Sequence, residues 1–398
     1  MVKLTSSSGR RRGRPRKIPA EIPESRTPHL EFPATPAPKI VSLHLVPART
    51  TAVYDSYWRF AAERQRIFYR RALGQPGPWT NHPVLATYKF TNAYRASDRA
   101  SQFLIRDVIY RDDLPKGPIE IIFRILLFKL FNKIGTWQLL ERSLGALSFE
   151  TYRFSDYDRI LSRAITEGTR IYSAAYIMPP GSGAFGHKFK HQNHLKLLEL
   201  MMATRLPDRL AGARTMQEGF ELLRTYPTIG DFLAYQFITD INYSEVTTFS
   251  EMDFVIPGPG ARDGLRKCFA DTGGLSDAEL IRLMADRQQE ECARLDLDFP
   301  TLWGRPLQLI DCQNLFCEVD KFARVAHPEA SGWTGRTRIK QKFVAQAQSI
   351  EFWYPPKWGI NDRIAAGAVP NEATGTSAIF KPELVGRVPK VGADRGTQ

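Results

Sequence analysis

Apolar residues recur at helical spacing along most of the chain, and almost no stretch alternates with period two. Tyr54 to Leu73 places Tyr54, Trp58, Ala61 and Phe68 near one face, and Gly74 and Pro76 close that helix. Ala93 to Tyr110 predicts a second helix. Tyr94, Ser101, Leu104 and Val108 lie on one side of it, and Arg95, Asp98, Arg99, Gln102 and Arg106 share another. Pro118 can open the next, whose segment Ile121 to Leu130 is too apolar for a surface. Thr136 and Gly145 bracket Trp137 to Leu144. Ser155 with Asp158 reads as a capping box for a helix closed by Gly168, and Arg170 to Ile177 continues helical. Further helices are expected over Leu195–Thr204, after Thr215 with Glu218, and over Ile229–Ile241 and Ala261–Phe269. Two more are expected from Ser276 with Glu279 to near Leu295 and within Leu307–Val325. No repeat period appears, so the expected class is mainly α without a solenoid.

The ends depart from this pattern. Residues 1–50 hold eight prolines, a serine run and few aromatics, and read as disordered. Residues 51–335 carry the helical periodicity. Residues 336–398 form a basic and aromatic extension, with an aromatic-proline patch at Trp353 to Trp358, and 361–398 read as a tail.

Composition narrows the function class. The 398 residues are 43% hydrophobic, enough for a real core, and carry a net charge of +13. Ten Lys/Arg against three Asp/Glu give residues 1–50 a charge of +7, which leaves +6 for the rest. Such a balance fits nucleic-acid binding. Glu120, Arg124 and Lys129 interrupt the most apolar run, so neither a membrane span nor a secretory signal is expected. Cys268, Cys292, Cys312 and Cys317 match no zinc or iron–sulfur spacing and read as reduced thiols. The expectation is an intracellular, DNA-associated protein, nuclear in a eukaryote and in the cytoplasm or nucleoid of a bacterium or phage-infected cell.

Three local motifs bear on chemistry. Arg12-Gly13-Arg14-Pro15 resembles an AT-hook, whose thin backbone lets arginines enter a narrow A/T minor groove; a localisation signal or a solvated basic run is the alternative. Phe254-Val255-Ile256 stops at Pro257-Gly258-Pro259-Gly260, just before a predicted helix. Glycines there permit positive φ or close backbone approach, and first-turn amides favour an anion. The Pro-Gly-x-Gly core resembles the phosphate-gripping hairpin of a helix-hairpin-helix motif; a corner without a ligand is the bland alternative. His187, His191 and His194 lack an H-E-x-x-H arrangement and stand among Lys188, Lys190 and Lys196, so no metal is expected. The Arg95–Asp98–Arg99 face has a plain reading too, as solvated ion pairs.

Several stretches together resemble one family. They are Pro78-Trp79-Thr80, Phe90 to Arg95 with Asp98-Arg99, Phe123 to Lys133, Ala175-Tyr176-Ile177, Asp253-Phe254 through Gly258 to Arg262, and Asp311-x-Gln313-Asn314 with Cys317-Glu318-x-Asp320-Lys321. The set is similar to the alpha-glutamyl/putrescinyl thymine pyrophosphorylases and to the helical domain of 5-hydroxymethyluracil DNA kinases, over roughly residues 54–330. The resemblance implies a helix-hairpin-helix, DNA-glycosylase-like fold acting on a thymine-derived base in double-stranded DNA. An amine or amino-acid co-substrate would displace pyrophosphate from the base, with no cofactor. Such a base must be flipped out of the duplex.

In that setting Arg95, Arg99, Arg124 and Lys129 are candidate cations for the departing pyrophosphate. Asp311 is the first candidate for the general base and Asp320 the second; both also read as caps or ion-pair partners. Gln313 and Asn314 could read a base edge, and Asn132 and Lys133 could do the same or cap. Asn92, Asp98 and Lys321 join the substrate-binding candidates, while Gly258, Gly260 and Arg262 join the hook as DNA contacts. Two departures limit the carry-over. No G-x-x-x-x-G-K-[ST] occurs, so phosphorylation by this chain alone is not expected. Arg262 stands where bifunctional glycosylases carry a lysine, and a guanidinium forms no Schiff base. The alternatives are a glycosylase that excises a modified pyrimidine and a non-catalytic DNA-binding module.

Overall fold

Thr51 starts the first long helix. Its hydroxyl accepts a hydrogen bond from the amide of Val53 at 3.1 Å, which satisfies one first-turn donor of α1, Ala52–Ala72. The computed structural model describes residues 47–345, 351–367 and 379–380. They are mainly helical. Short helices α2 (Pro83–Thr87) and α3 (Arg99–Phe103) lead to the apolar α4 (Pro118–Phe131), with proline at its first position. Helices α5 (Ile134–Leu144), α6 (Phe154–Thr166), α7 (Ser182–Phe185), α8 (Lys190–Ala203), α9 (Leu206–Ala211) and α10 (Met216–Arg224) follow. Then come α11 (Asp231–Ile241), α12 (Pro259–Cys268), α13 (Asp277–Asp286), α14 (Gln288–Arg294), α15 (Leu309–Ala326) and α16 (Asn361–Ala365). Strands β1 (Arg49–Thr50) and β2 (Phe269–Asp271) pair antiparallel. No helix among the described residues is long and apolar enough to cross a membrane. None of the four cysteines is in a disulfide.

Helices α12 and α15 pack against each other more extensively than any other pair of described elements, with glycines at their closest approach. A Cβ on Gly264 would lie 2.1 Å from the carbonyl oxygen of Phe316, and one on Gly260 would lie 3.2 Å from Cys317 Sγ. A Cβ on Gly258 would meet the Phe232 ring at 2.6 Å. The glycines of the 257–260 turn therefore serve close approach. They do not serve left-handed backbone: Gly258 has φ −76°, and Gly260 is not among the positive-φ residues. Residues 242–258, between α11 and α12, are irregular, so no helix stands directly before the turn.

Several local expectations fail for identifiable reasons. The helix over Ala93–Tyr110 is broken into a 3₁₀ turn at Arg95–Ser97, α3, and a π-helical segment at Leu104–Ile109. Asp98 is extended at the first break, with its Oδ1 accepting from the Asn92 amide at 2.8 Å, while Asn92 Nδ2 donates to the Ser97 carbonyl at 2.8 Å. Arg64 Nε donates to the Thr91 carbonyl at 2.9 Å. The Ser97 carbonyl, and the Ala96 carbonyl that accepts from Gln102 Nε2 at 2.8 Å, are groups that a continuous helix would pair with its own amides. Arg95 and Arg99 thus do not share a helical face. Residues 170–177 are not helical either, because the Ile171 carbonyl accepts from Thr136 Oγ1 at 2.7 Å and the Ser173 amide donates to the Phe131 carbonyl at 3.0 Å. The first residue of α6 is Phe154, so Ser155 is not its cap, and the predicted 276–295 helix breaks at Arg287.

Part of the C-terminal extension packs against the helices, beginning with the aromatic-proline patch. Tyr354 is buried, with its hydroxyl 2.8 Å from Ser97 Oγ, and the amide of Trp353 donates to Gln102 Oε1 at 3.0 Å. Lys357 Nζ donates to the carbonyls of Ser244 and Thr247 at 2.9 and 2.7 Å. Helix α16 falls within the predicted tail, and so do the buried Ile379 and Phe380.

Candidate functional site

The apolar face of α11 is interrupted by Gln236 and Asp240, four residues apart and both buried. Asp240 serves two cations. Its Oδ1 accepts from Arg95 Nη1 at 2.6 Å, and its Oδ2 lies 2.6 Å from Lys129 Nζ on α4. Arg95 also donates to Tyr243 Oη at 2.8 Å and to Gln236 Oε1 at 3.1 Å. Burial opposes the charge on Asp240, but Arg95 and Lys129 outweigh it and hold the carboxyl below its usual value. Burial pushes Lys129 down to about 8, against the pull of Asp240. Two cations share one carboxylate, so these direct pairs leave one positive charge unmatched.

Tyr176 covers this charge. Its ring centroid lies 4.0 Å from Lys129 Nζ and 5.6 Å from Arg95 Cζ, in cation–π range. The residue holds left-handed backbone, φ 53°, uncommon outside glycine and asparagine, and stacks on Phe232 at 6.0 Å. Its neighbours Ala175 and Ile177 are exposed, so the cover is one residue thick. Phe232 in turn fills the space beside Gly258, which links the cover to the glycine turn.

Asp311 lies in the first turn of α15. Its Oδ1 accepts from the Arg95 backbone amide at 2.8 Å and its Oδ2 from the Gln308 amide at 3.0 Å. Burial raises this carboxyl to about 6, although both amides pull it down. Arg95 and Asp311 are therefore in contact, through the Arg95 main chain. Asp98 rises to about 7, first through burial.

The other candidates are dispersed. Asp320 lies nine residues along α15 from Asp311, about 14 Å at helical rise. It pairs with Lys267 Nζ at 3.0 Å and with Arg324. Arg99 is exposed. Arg124 is fully buried and donates through Nε to the Val108 carbonyl at 3.0 Å. Asn132 ends α4 in the left-handed region, and Lys133 donates to the Arg170 carbonyl. Gln313 Nε2 reaches Cys317 Sγ at 3.3 Å. Asn314 Nδ2 reaches Thr91 Oγ1 at 3.1 Å, and Lys321 pairs with Glu318 at 2.6 Å. Arg262 lies 3.5 Å from Asp277. His191 bonds Asp158 and Ser162, and His194 bonds Tyr172 and the Pro179 carbonyl. Arg12, Gly13, Arg14 and Pro15 lie outside the described residues.

The family model for the helical domain of 5-hmdU DNA kinase matches residues 51–332, from the start of α1 to just past α15. The chain belongs to this family. It is 26% identical over 337 residues to the 5-hmdU DNA kinase of Bacillus phage SP10, an alignment that takes in 79% of this chain and 52% of that protein. The chain thus spans about half the length of that relative. No solved structure gives a significant match.

Within this helical domain the residues that sequence reasoning missed are Asp240, Gln236, Tyr243 and the cover, Tyr176. One signal was present for the first two. A carboxylate and an amide four residues apart inside an otherwise apolar helix must find buried partners. Tyr176 stood in a quoted motif, but a positive φ cannot be read from a tyrosine.

Proposed function

We propose that this helical domain acts inside the cell on a 5-hydroxymethyluracil-type base in DNA, and that the base is received where Tyr176 now covers Arg95 and Lys129. What carries the reading is the surplus cation beneath a one-residue aromatic cover. A flipped pyrimidine that displaces the Tyr176 ring offers the two cations an aromatic face, and a phosphate or pyrophosphate on its 5-methylene offers the missing negative charge. The Gly258–Gly260 turn, with Arg262, is the adjacent element for gripping the strand.

The finer reaction we propose is replacement of pyrophosphate by an amine. The amine nitrogen attacks the 5-methylene carbon, and the carbon–oxygen bond to pyrophosphate breaks. Pyrophosphate leaves with the electron pair toward Lys129 and Arg95, and the new ammonium gives its proton to a carboxylate, for which Asp311 is the candidate. The test is mass spectrometry of nucleosides from duplexes carrying 5-hydroxymethyluracil or its pyrophosphate, incubated with this chain and an amine, or with ATP. An amine adduct supports the finer reaction. A phosphorylated nucleoside supports the base but replaces the chemistry, abasic sites indicate excision, and unchanged nucleosides throughout contradict the proposal.

A further inference from the structure

A cleft of about 720 Å³ opens beside the loop that carries Tyr176 and is lined by Lys89, Lys321, Arg324, Arg336, Arg338 and Lys340, together with Ala174. No carboxylate is among the residues lining it. Three stand behind it: Glu318 pairs with Lys321 at 2.6 Å, Asp320 pairs with Arg324, and Asp263 pairs with Arg336 at 3.1 Å. Six cations against three carboxylates leave an excess of three. Lys89, Arg338 and Lys340 are exposed and make no ion pair among the described residues.

One wall of the cleft is a strap, residues 335–343, tied down by its main chain. The Lys89 amide donates to the Gln341 carbonyl at 3.0 Å and the Phe343 amide to the Thr87 carbonyl at 2.9 Å. Arg324 Nη1 holds the Arg338 carbonyl at 3.1 Å from the α15 side. The main chain that carries Arg338 and Lys340 is thus held beside Lys89 and α15, although concentrating like charges costs stability unless an anion relieves it.

We infer that this cleft is the track for the DNA phosphate backbone flanking the flipped nucleotide. The inference rests on the reading that the chain works on DNA, and it adds where the strand runs: past Lys89 and Ala174, two residues from Tyr176, and along the strap. Contacts of this kind position the duplex and carry no sequence or base information.

The experiment is salt-dependent binding of the full chain and of the double variant Arg338→Gln/Lys340→Gln to two duplexes, one with thymine and one with a single 5-hydroxymethyluracil. Both side chains are exposed, so the variant retains the fold. Each phosphate contact contributes about 0.9 to the slope of log affinity against log salt, so the variant is expected to bind both duplexes more weakly, with a slope shallower by about 2. If the wild type binds DNA and the variant keeps its slope, the cleft assignment falls and the proposed function stands. A loss confined to the modified duplex would also overturn it, because the cleft would then be reading the base. Absence of any DNA binding by the wild type would remove both.

Discussion

The carboxylate of Asp311 accepts the backbone amide of Arg95 at 2.8 Å, so the first turn of α15 fixes the residue whose side chain neutralises Asp240. This contact gives Asp311→Asn two readouts. An amide can accept from only one of the two backbone donors, so stability falls. If Asp311 is also the base, turnover of the folded protein falls by about 10²–10⁴-fold while DNA affinity holds. Normal turnover by the folded variant would assign Asp311 to capping alone.

Asp240→Asn leaves Arg95 and Lys129 facing each other without a counter-charge. Removing one member of a buried ionic cluster typically costs about 3–5 kcal/mol, and urea unfolding should show a loss in that range. A change below about 1 kcal/mol, the worth of a solvent-exposed pair, would mean that the cluster is hydrated.

The three glycines of the α12 region should rank by what their Cβ would strike. Gly264→Ala meets backbone, which cannot rotate away, so it should be the most destabilising of the three. Gly258→Ala meets the Phe232 ring, which can shift, and Gly260→Ala meets only the edge of Cys317. A thermal-unfolding series in the reverse order would contradict the packing account.

Asp98 predicts a pH dependence. In the fold its carboxyl titrates near about 7, first because it is buried, whereas the unfolded chain loses that proton near 3.8. Between these values the unfolded state is the one that ionises, so the Asp98 contribution to stability is present below about pH 4, is lost as pH rises toward 7, and is flat above. Asp98→Asn stays neutral and can still accept from the Asn92 amide. Its stability relative to wild type should therefore rise between acid and mildly alkaline pH. A difference that does not vary with pH would mean that Asp98 is charged in the fold.

Legibility from sequence followed the range of the interactions. The caps Thr215–Glu218 and Ser276–Glu279 were readable because donor and acceptor lie within one turn. The broken helix after Ala93 was not, because its 3₁₀ turn is held by Asp311 on the Arg95 amide, 216 positions away, and by Tyr354 on the Ser97 hydroxyl, 257 away. The Arg95–Asp240 pair spans 145 positions, and nothing local to either residue announces the other. Arg95 and Lys129 were named from their motifs, while the carboxylate that unites them was not. The glycine turn was recognised, but its close packing against Phe232 and Cys317 was not, because neither partner lies in its own stretch of sequence.

The central claim is that Lys129 and Arg95 meet the charged substituent of a flipped base. Its most direct test compares wild type with Lys129→Met in nucleoside mass spectrometry, on a duplex carrying the 5-pyrophosphorylmethyl base and an amine. Methionine fills a similar volume and leaves Asp240 paired with Arg95. The account predicts conversion by the wild type and a loss of about 10²–10³-fold in the variant, the usual cost of removing one preorganised charge stabiliser. Equal conversion by both proteins would contradict it.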